Sequence, residues 1–280
     1  MREISVDLIR DAVAALAVKA NTVVDARVEE ALKTARQREE SPVGREILDQ
    51  LLQNAEIARA TATPICQDTG LAVVFVRVGQ DVHLTGGSLE DAVNQGVAKG
   101  YTDGYLRKSV VRDPLDRINT KDNTPAIIHY EIVPGDELTI TVAPKGIGSE
   151  NMSRLYMLKP SQGAEGIRQA VLQTVREAGS NACPPLVIGV GVGGNFEKCA
   201  LLAKRALLRP LGEPSPDPAW AAMERDLLNA VNDLGIGPQG LGGRVTALGL
   251  AIETYPTHIG GLPVAVNINC HVARHETVSL

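Results

Sequence analysis

With 280 residues, 44% of them hydrophobic, the chain can bury an enzyme-sized core, which excludes intrinsic disorder. A formal charge of −5 excludes nucleic acid as the principal partner, because phosphate binding needs a basic surface. The opening segment MREISVDLIRDAVAALAVKA interleaves charges with apolar positions, and no run of about 18 apolar residues follows, so neither a secretory leader nor a membrane span is expected and the compartment reads as cytoplasmic.

Ile4, Val6, Ile9, Ala12 and Leu16 recur at helical spacing, and Val28, Ala31, Leu32 and Ala35 repeat the pattern. Ser41-Pro42 then opens a third helix, GREILDQLLQNAEIARA, so residues 1–60 read as a helical N-terminal layer. The character changes at Thr61. LAVVFVRV (71–78) predicts a strand, and Ser88 caps a helical run, LEDAVNQGVAKGYTDGYLRKSVV. AIIHYEIV and ELTITVA, separated by Pro134-Gly135-Asp136, predict a hairpin. The stretch from Lys145 to Asn151 is too polar and glycine-rich for a core and reads as a ligand-facing loop. A helix over 162–179, the strand LVIGV, a helix from near Asn195, the link LRPLGEPSPDPAW and a helix through Leu234 follow. LGIGPQGLGGRVTALGLAIE carries six glycines between Gly235 and Gly249 and passes into a strand, and VAVNI (264–268) is one more buried strand, leading to Cys270. The expectation is a mixed α/β (α+β) fold over residues 1–280: a helical N-terminal layer followed by mixed sheets covered by helices, in a single domain.

Of the four cysteines, Cys199 lies inside the helix FEKCALLAKRAL and reads as structural. The other three stand at polar chain junctions: Cys66 in TPICQDTG, Cys183 in SNACPP and Cys270 in NINCH. They are 117 and 87 residues apart, a spacing that does not by itself identify metal ligands. A structural zinc, with His258 or His271 closing the fourth position, is one alternative.

PICQDTG, GYLRKSVV, NTKDNTP, KGIGSENMS, NACPP, GVGGNFEK, GIGPQGLGG and HIGGLPVAVNINC together resemble the α subunit, or N-terminal half, of class I iron–sulfur fumarate hydratases, and the resemblance runs over essentially the whole chain. It implies a hydro-lyase of the tricarboxylic acid cycle that interconverts malate and fumarate. It also implies that Cys66, Cys183 and Cys270 hold a [4Fe–4S] cluster with one iron open to substrate, an arrangement suited to Lewis-acid chemistry. Asp68 and His258 are implied as the proton-handling pair, and Arg107, Gln67, Asp68 and the backbone around Gly148 as contacts of the C4 dicarboxylate. Lys145, Ser149 and Asn151 are further members of the same wall. One-chain members of that family carry a C-terminal half with additional substrate cations, so the resemblance implies a separate β subunit and a heterotetramer or higher oligomer.

Three competing readings remain, one of them a non-catalytic interaction subunit, which as-isolated iron content would separate from an enzyme. The α subunit of tartrate dehydratase shares the cluster and the two-subunit plan. Gly189, Gly191 and Gly194 match the dinucleotide fingerprint of a nicotinamide-dependent dehydrogenase, but a proline-rich link stands where its second strand and acidic residue belong.

Overall fold

A computed structural model describes residues 2–280; Met1 lies outside the described residues. In chain order the elements are β1 (Arg2–Ser5), α1 (Val6–Thr22), α2 (Ala26–Arg38), α3 (Pro42–Thr61), β2 (Leu71–Gly79), β3 (Val82–Thr85), α4 (Leu89–Asp103), β4 (Ile127–Val133) and β5 (Leu138–Lys145). They continue with the single turn α5 (Ile147–Glu150), then β6 (Arg154–Leu158), α6 (Gly163–Ala178), β7 (Leu186–Gly194), α7 (Phe196–Ala206), α8 (Pro218–Asn232), β8 (Ala247–Thr257), β9 (Leu262–Asn269) and β10 (Glu276–Ser279). The fold is α+β, and no described helix is long and apolar enough to cross a membrane.

The chain divides into two compact units, and the N-terminal helices divide between them. The first unit comprises residues 2–24, 55–147 and 274–280 of the described chain. Its four-stranded sheet has the order β10-β5-β2-β4, and β1 pairs with β3 in a separate two-stranded sheet. Val74 and Val76 of β2, Ile140 and Val142 of β5, Ile9 and Val13 of α1 and Val93 and Val97 of α4 form its core. Ser5 starts α1 by accepting from Asp7 N–H, and Ser88 starts α4 by accepting from Asp91 N–H.

The hairpin expected around Pro134-Gly135-Asp136 does not form. β2 lies between β4 and β5, parallel to the first and antiparallel to the second. The turn carries the chain across the end of β2, where Gln80 N–H donates to Val133 O and Gly79 N–H to Glu137 O. The helical run from Ser88 also stops early, at Asp103, where Gly104 caps it and Tyr105 turns the chain at φ +52°.

The second unit comprises residues 25–54 and 148–273. Its sheet has the order β6-β9-β7-β8, with α6 and α8 contributing to the core around Ile188, Val190, Val266 and Ile268. The dinucleotide-like glycines lie inside β7 or at its end and not in a phosphate-cradling turn. A Cβ on Gly189 would stand 2.2 Å from Ala203 O, and one on Gly191 would stand 2.0 Å from Cys199 O. These glycines let α7 lie directly on the strand, which accounts for them without a nucleotide.

Candidate functional site

The turn from Cys66 to Gly70, in the first unit, carries the densest chemistry. Asp68 N–H donates to Cys66 Sγ at 3.4 Å, and the thiol lies 3.3 Å from Gln67 Oε1, which leaves the Gln67 amide donors available. The Asp68 carboxylate is fixed at both oxygens: Oδ1 accepts from Gly70 N–H at 3.0 Å and Oδ2 from Ile147 N–H at 2.8 Å. Behind it, buried side chains hold the backbone. Arg274, 6% exposed, donates to Asp68 O and to Pro144 O, and Tyr101 Oη donates to Thr69 O at 2.7 Å. Burial pushes the Tyr101 hydroxyl above the usual tyrosine range, so it stays a donor.

Arg107 belongs to the same unit. It lies in the extended segment beyond α4, exposed, and its guanidinium has no partner among the described residues. Its backbone is tied to the turn, because Thr69 Oγ1 donates to Arg107 O at 3.0 Å. The first unit therefore holds the backbone of Arg107 against the turn that carries Cys66, Gln67 and Asp68. Lys145 and Ser149 are buried rather than displayed in a polar loop, Lys145 closing β5.

The second unit assembles Cys183, Cys270 and Gly148. Cys183 is exposed and left-handed, at φ +52°, just before β7, and Cys270 is half-buried just after β9. Val187 pairs with Asn269 across these antiparallel strands, so both cysteines lie at the same end of the sheet. His271 Nδ1 stands 3.1 Å from Cys183 O, and since a carbonyl only accepts, Nδ1 carries the proton. Gly148 is exposed, with Asn181 O 3.8 Å from its Cβ position, beside the Cys183 turn.

His258 is placed elsewhere. It follows β8, which runs parallel to β7, and Thr257 pairs with Gly194 at the far end of that strand. About eight strand residues at roughly 3.3 Å each separate it from the Cys183 end. That removes His258 as a fourth zinc ligand for Cys183 and Cys270 of its own chain. Its Nδ1 accepts from Gly260 N–H at 3.0 Å, so the neutral ring carries its proton on Nε2.

Cys199 is fully buried, donates to Phe196 O at 3.4 Å, and has its thiol pushed up by burial. Sequence reasoning missed Arg274. Four residues beyond Cys270, in HVARH, it carries no signal of burial, and its role comes from the return of the chain to the first unit.

The donor set fits an iron–sulfur cluster in kind. Three thiols lie outside the core, and one already accepts a backbone N–H, the type of bond that tunes such clusters. No group of three or more His, Cys, Asp or Glu side chains that could hold a metal ion occurs among the described residues. A cubane spreads its ligands over several irons, so it does not require the tight convergence of a single-ion site.

Comparison with known proteins gives a match over residues 10–279 to the family described as fumarate hydratase (Fumerase). A protein of Methanocaldococcus jannaschii named "Putative L(+)-tartrate dehydratase subunit alpha" is 40% identical over 272 residues, 95% of each chain. The L(+)-tartrate dehydratase subunit alpha of Escherichia coli strain UTI89 is 36% identical over 251 residues, covering 88% of this chain and 82% of that one. Its counterpart in strain K12 is 35% identical over the same length.

Proposed function

The chain belongs to the fumarate hydratase (Fumerase) family of hydro-lyases, and from that premise we propose that it is the α subunit of an enzyme interconverting malate and fumarate, active together with a β subunit. In this reading residues 1–280 act as one chain in which Cys66, Cys183 and Cys270 hold a [4Fe–4S] cluster. When bound, the cluster supplies an iron with an open position, a Lewis acid for a hydroxyl leaving group. The observation that carries the proposal is the Cys66–Gly70 turn, where a thiol and a carboxylate two residues apart are both fixed by backbone N–H groups.

The roles of the chain's own residues follow from that turn. Asp68 keeps an uncommitted lone pair on each oxygen and holds or delivers the proton of the substrate hydroxyl. Arg107, unpaired in the chain itself, presents a planar fork to one substrate carboxylate. Gln67 offers amide donors, and Gly148 leaves room above the backbone for the ligand. His258 presents Nε2–H, but at the far end of the sheet from Cys183 and Cys270, so it serves as proton partner from a second copy of the α chain in a heterotetramer or higher oligomer.

A second reading, dehydration of tartrate, is favoured by the names of the relatives. Tartrate differs from malate by one further hydroxyl, on C3. Assay of the anaerobically reconstituted α–β complex with malate, fumarate and both tartrates separates them. Turnover of malate and fumarate is expected; turnover of a tartrate alone moves the assignment to tartrate dehydratase, and turnover of none of them removes the hydro-lyase reading.

A further inference from the structure

The motif NTKDNTP, residues 119–125, lies close to the Arg107 segment. Within it Asn123 is completely buried and sits at φ +65°, a conformation that asparagine tolerates better than most residues. Its Oδ1 accepts from Ser109 N–H at 2.7 Å and Val110 N–H at 3.2 Å. Its Nδ2 donates to Gly70 O at 3.1 Å. One buried side chain thus joins the segment just after Arg107 to the turn just after Asp68. The buried Thr69 makes a second tie between the same two segments through Arg107 O. Asp122 holds the motif's own turn by accepting from Thr124 N–H and Oγ1. The Arg107 guanidinium has no partner among the described residues, so what holds this residue is its backbone, and the backbone is located by these ties.

We propose that Asn123 is the positioning residue that fixes the Arg107 segment against the Asp68 turn, so that the carboxylate clamp and the proton-handling carboxylate keep one mutual geometry. The inference rests on the roles proposed above for Arg107 and Asp68. Asn123 touches no reacting atom and acts through Arg107, so its loss changes substrate affinity more than turnover.

The test uses the reconstituted α–β complex. Asn123→Asp keeps an acceptor for Ser109 and Val110 and tolerates the same backbone, but loses the donor to Gly70 O. One lost hydrogen bond of ordinary strength corresponds to a KM raised about tenfold, with kcat per cluster within about threefold and iron content unchanged. In the double variant with Arg107→Lys, KM rises no further than in Arg107→Lys alone, because both changes act on one contact. Thr69→Val, nearly isosteric, removes the other tie and gives the same KM-against-kcat split even where Asn123→Asp folds poorly. In the cluster-free chain, the Ser109 and Val110 amides exchange faster with solvent deuterium in Asn123→Leu than in the parent. If KM rises in Arg107→Lys but not in Asn123→Asp or Thr69→Val, or if the effects multiply in the double variant, this inference alone is overturned. An unchanged KM in Arg107→Lys overturns both the inference and the role of Arg107.

Discussion

Asp68 is a fixed group: one backbone N–H occupies each carboxylate oxygen, and Arg274 and Tyr101 hold the carbonyls behind it. Replacing it with Asn would set an amide NH2 against one of those N–H donors as well as remove the carboxylate proposed to hold the proton. Asp68→Asn is expected to keep the cluster and lose about 10²–10⁴-fold in turnover per iron. A wild-type rate at equal iron content would take Asp68 out of the mechanism. The cysteines divide by surroundings. Cys66→Ser, Cys183→Ser and Cys270→Ser should each abolish the cluster absorbance of anaerobically prepared protein, whereas Cys199→Ser should retain it, because that thiol, on α7, is buried with Ala203 and Ala265. Full absorbance in Cys183→Ser would refute the ligand assignment.

Among the elements, the glycine-rich segment before β8 depends on one buried carboxylate. Glu39, at the C-terminal end of α2, is fully buried and accepts from the backbone N–H groups of Glu40, Ser41, Arg244 and Val245, all within the second unit. Burial alone raises its pKa, but the four donors, Arg244 foremost, outweigh that and hold the carboxyl below the usual range. A depressed folded-state value contributes stability that is fully present above the unfolded value of about 4.3 and is lost as pH falls through the folded one. Glu39→Gln should therefore destabilise the chain at pH 7 by on the order of 1–3 kcal/mol per orphaned donor. In urea titrations the gap between parent and variant should narrow as pH is lowered past 4; a gap that does not change with pH would contradict the assignment. The sequence made the main helices and the long strands legible through periodicity, and the Cys66 turn through the Pro and Gly around a thiol. Pairing was less legible. Pro134-Gly135-Asp136 signals a reversal but not whether a third strand enters the gap, and Gly189-x-Gly191 looks the same whether it cradles phosphate or admits a helix. The buried ties through Asn123 and Arg274 depend on residues distant in sequence, and the remoteness of His258 depends on strand direction.

For the whole molecule, the central expectation concerns subunits. A C4 dicarboxylate carries two negative charges, and Arg107, whose backbone is tied to the Asp68 turn, has one guanidinium, without a partner among the described residues. The isolated chain, reconstituted to about four irons, should hydrate fumarate at a small fraction of the α–β rate, and full activity alone would remove the need for a partner. The α–β interface should bury more than about 2,000 Å², as obligate contacts do. If His258 acts from a second copy, inactive Asp68→Asn and His258→Asn chains mixed during assembly should regain part of the activity. No recovery would return His258 to a structural role.

The first unit's sheet is completed by β10, which the chain reaches only after passing through most of the second unit. During synthesis, at about 5–20 residues per second, β5 therefore waits with an open edge while residues 148–273 emerge and pack. The same segment brings Arg274, so the carbonyls of Asp68 and Pro144 gain this donor only once residues 148–273 have been made. Until then the Cys66–Gly70 turn keeps its own hydrogen bonds but lacks that tie.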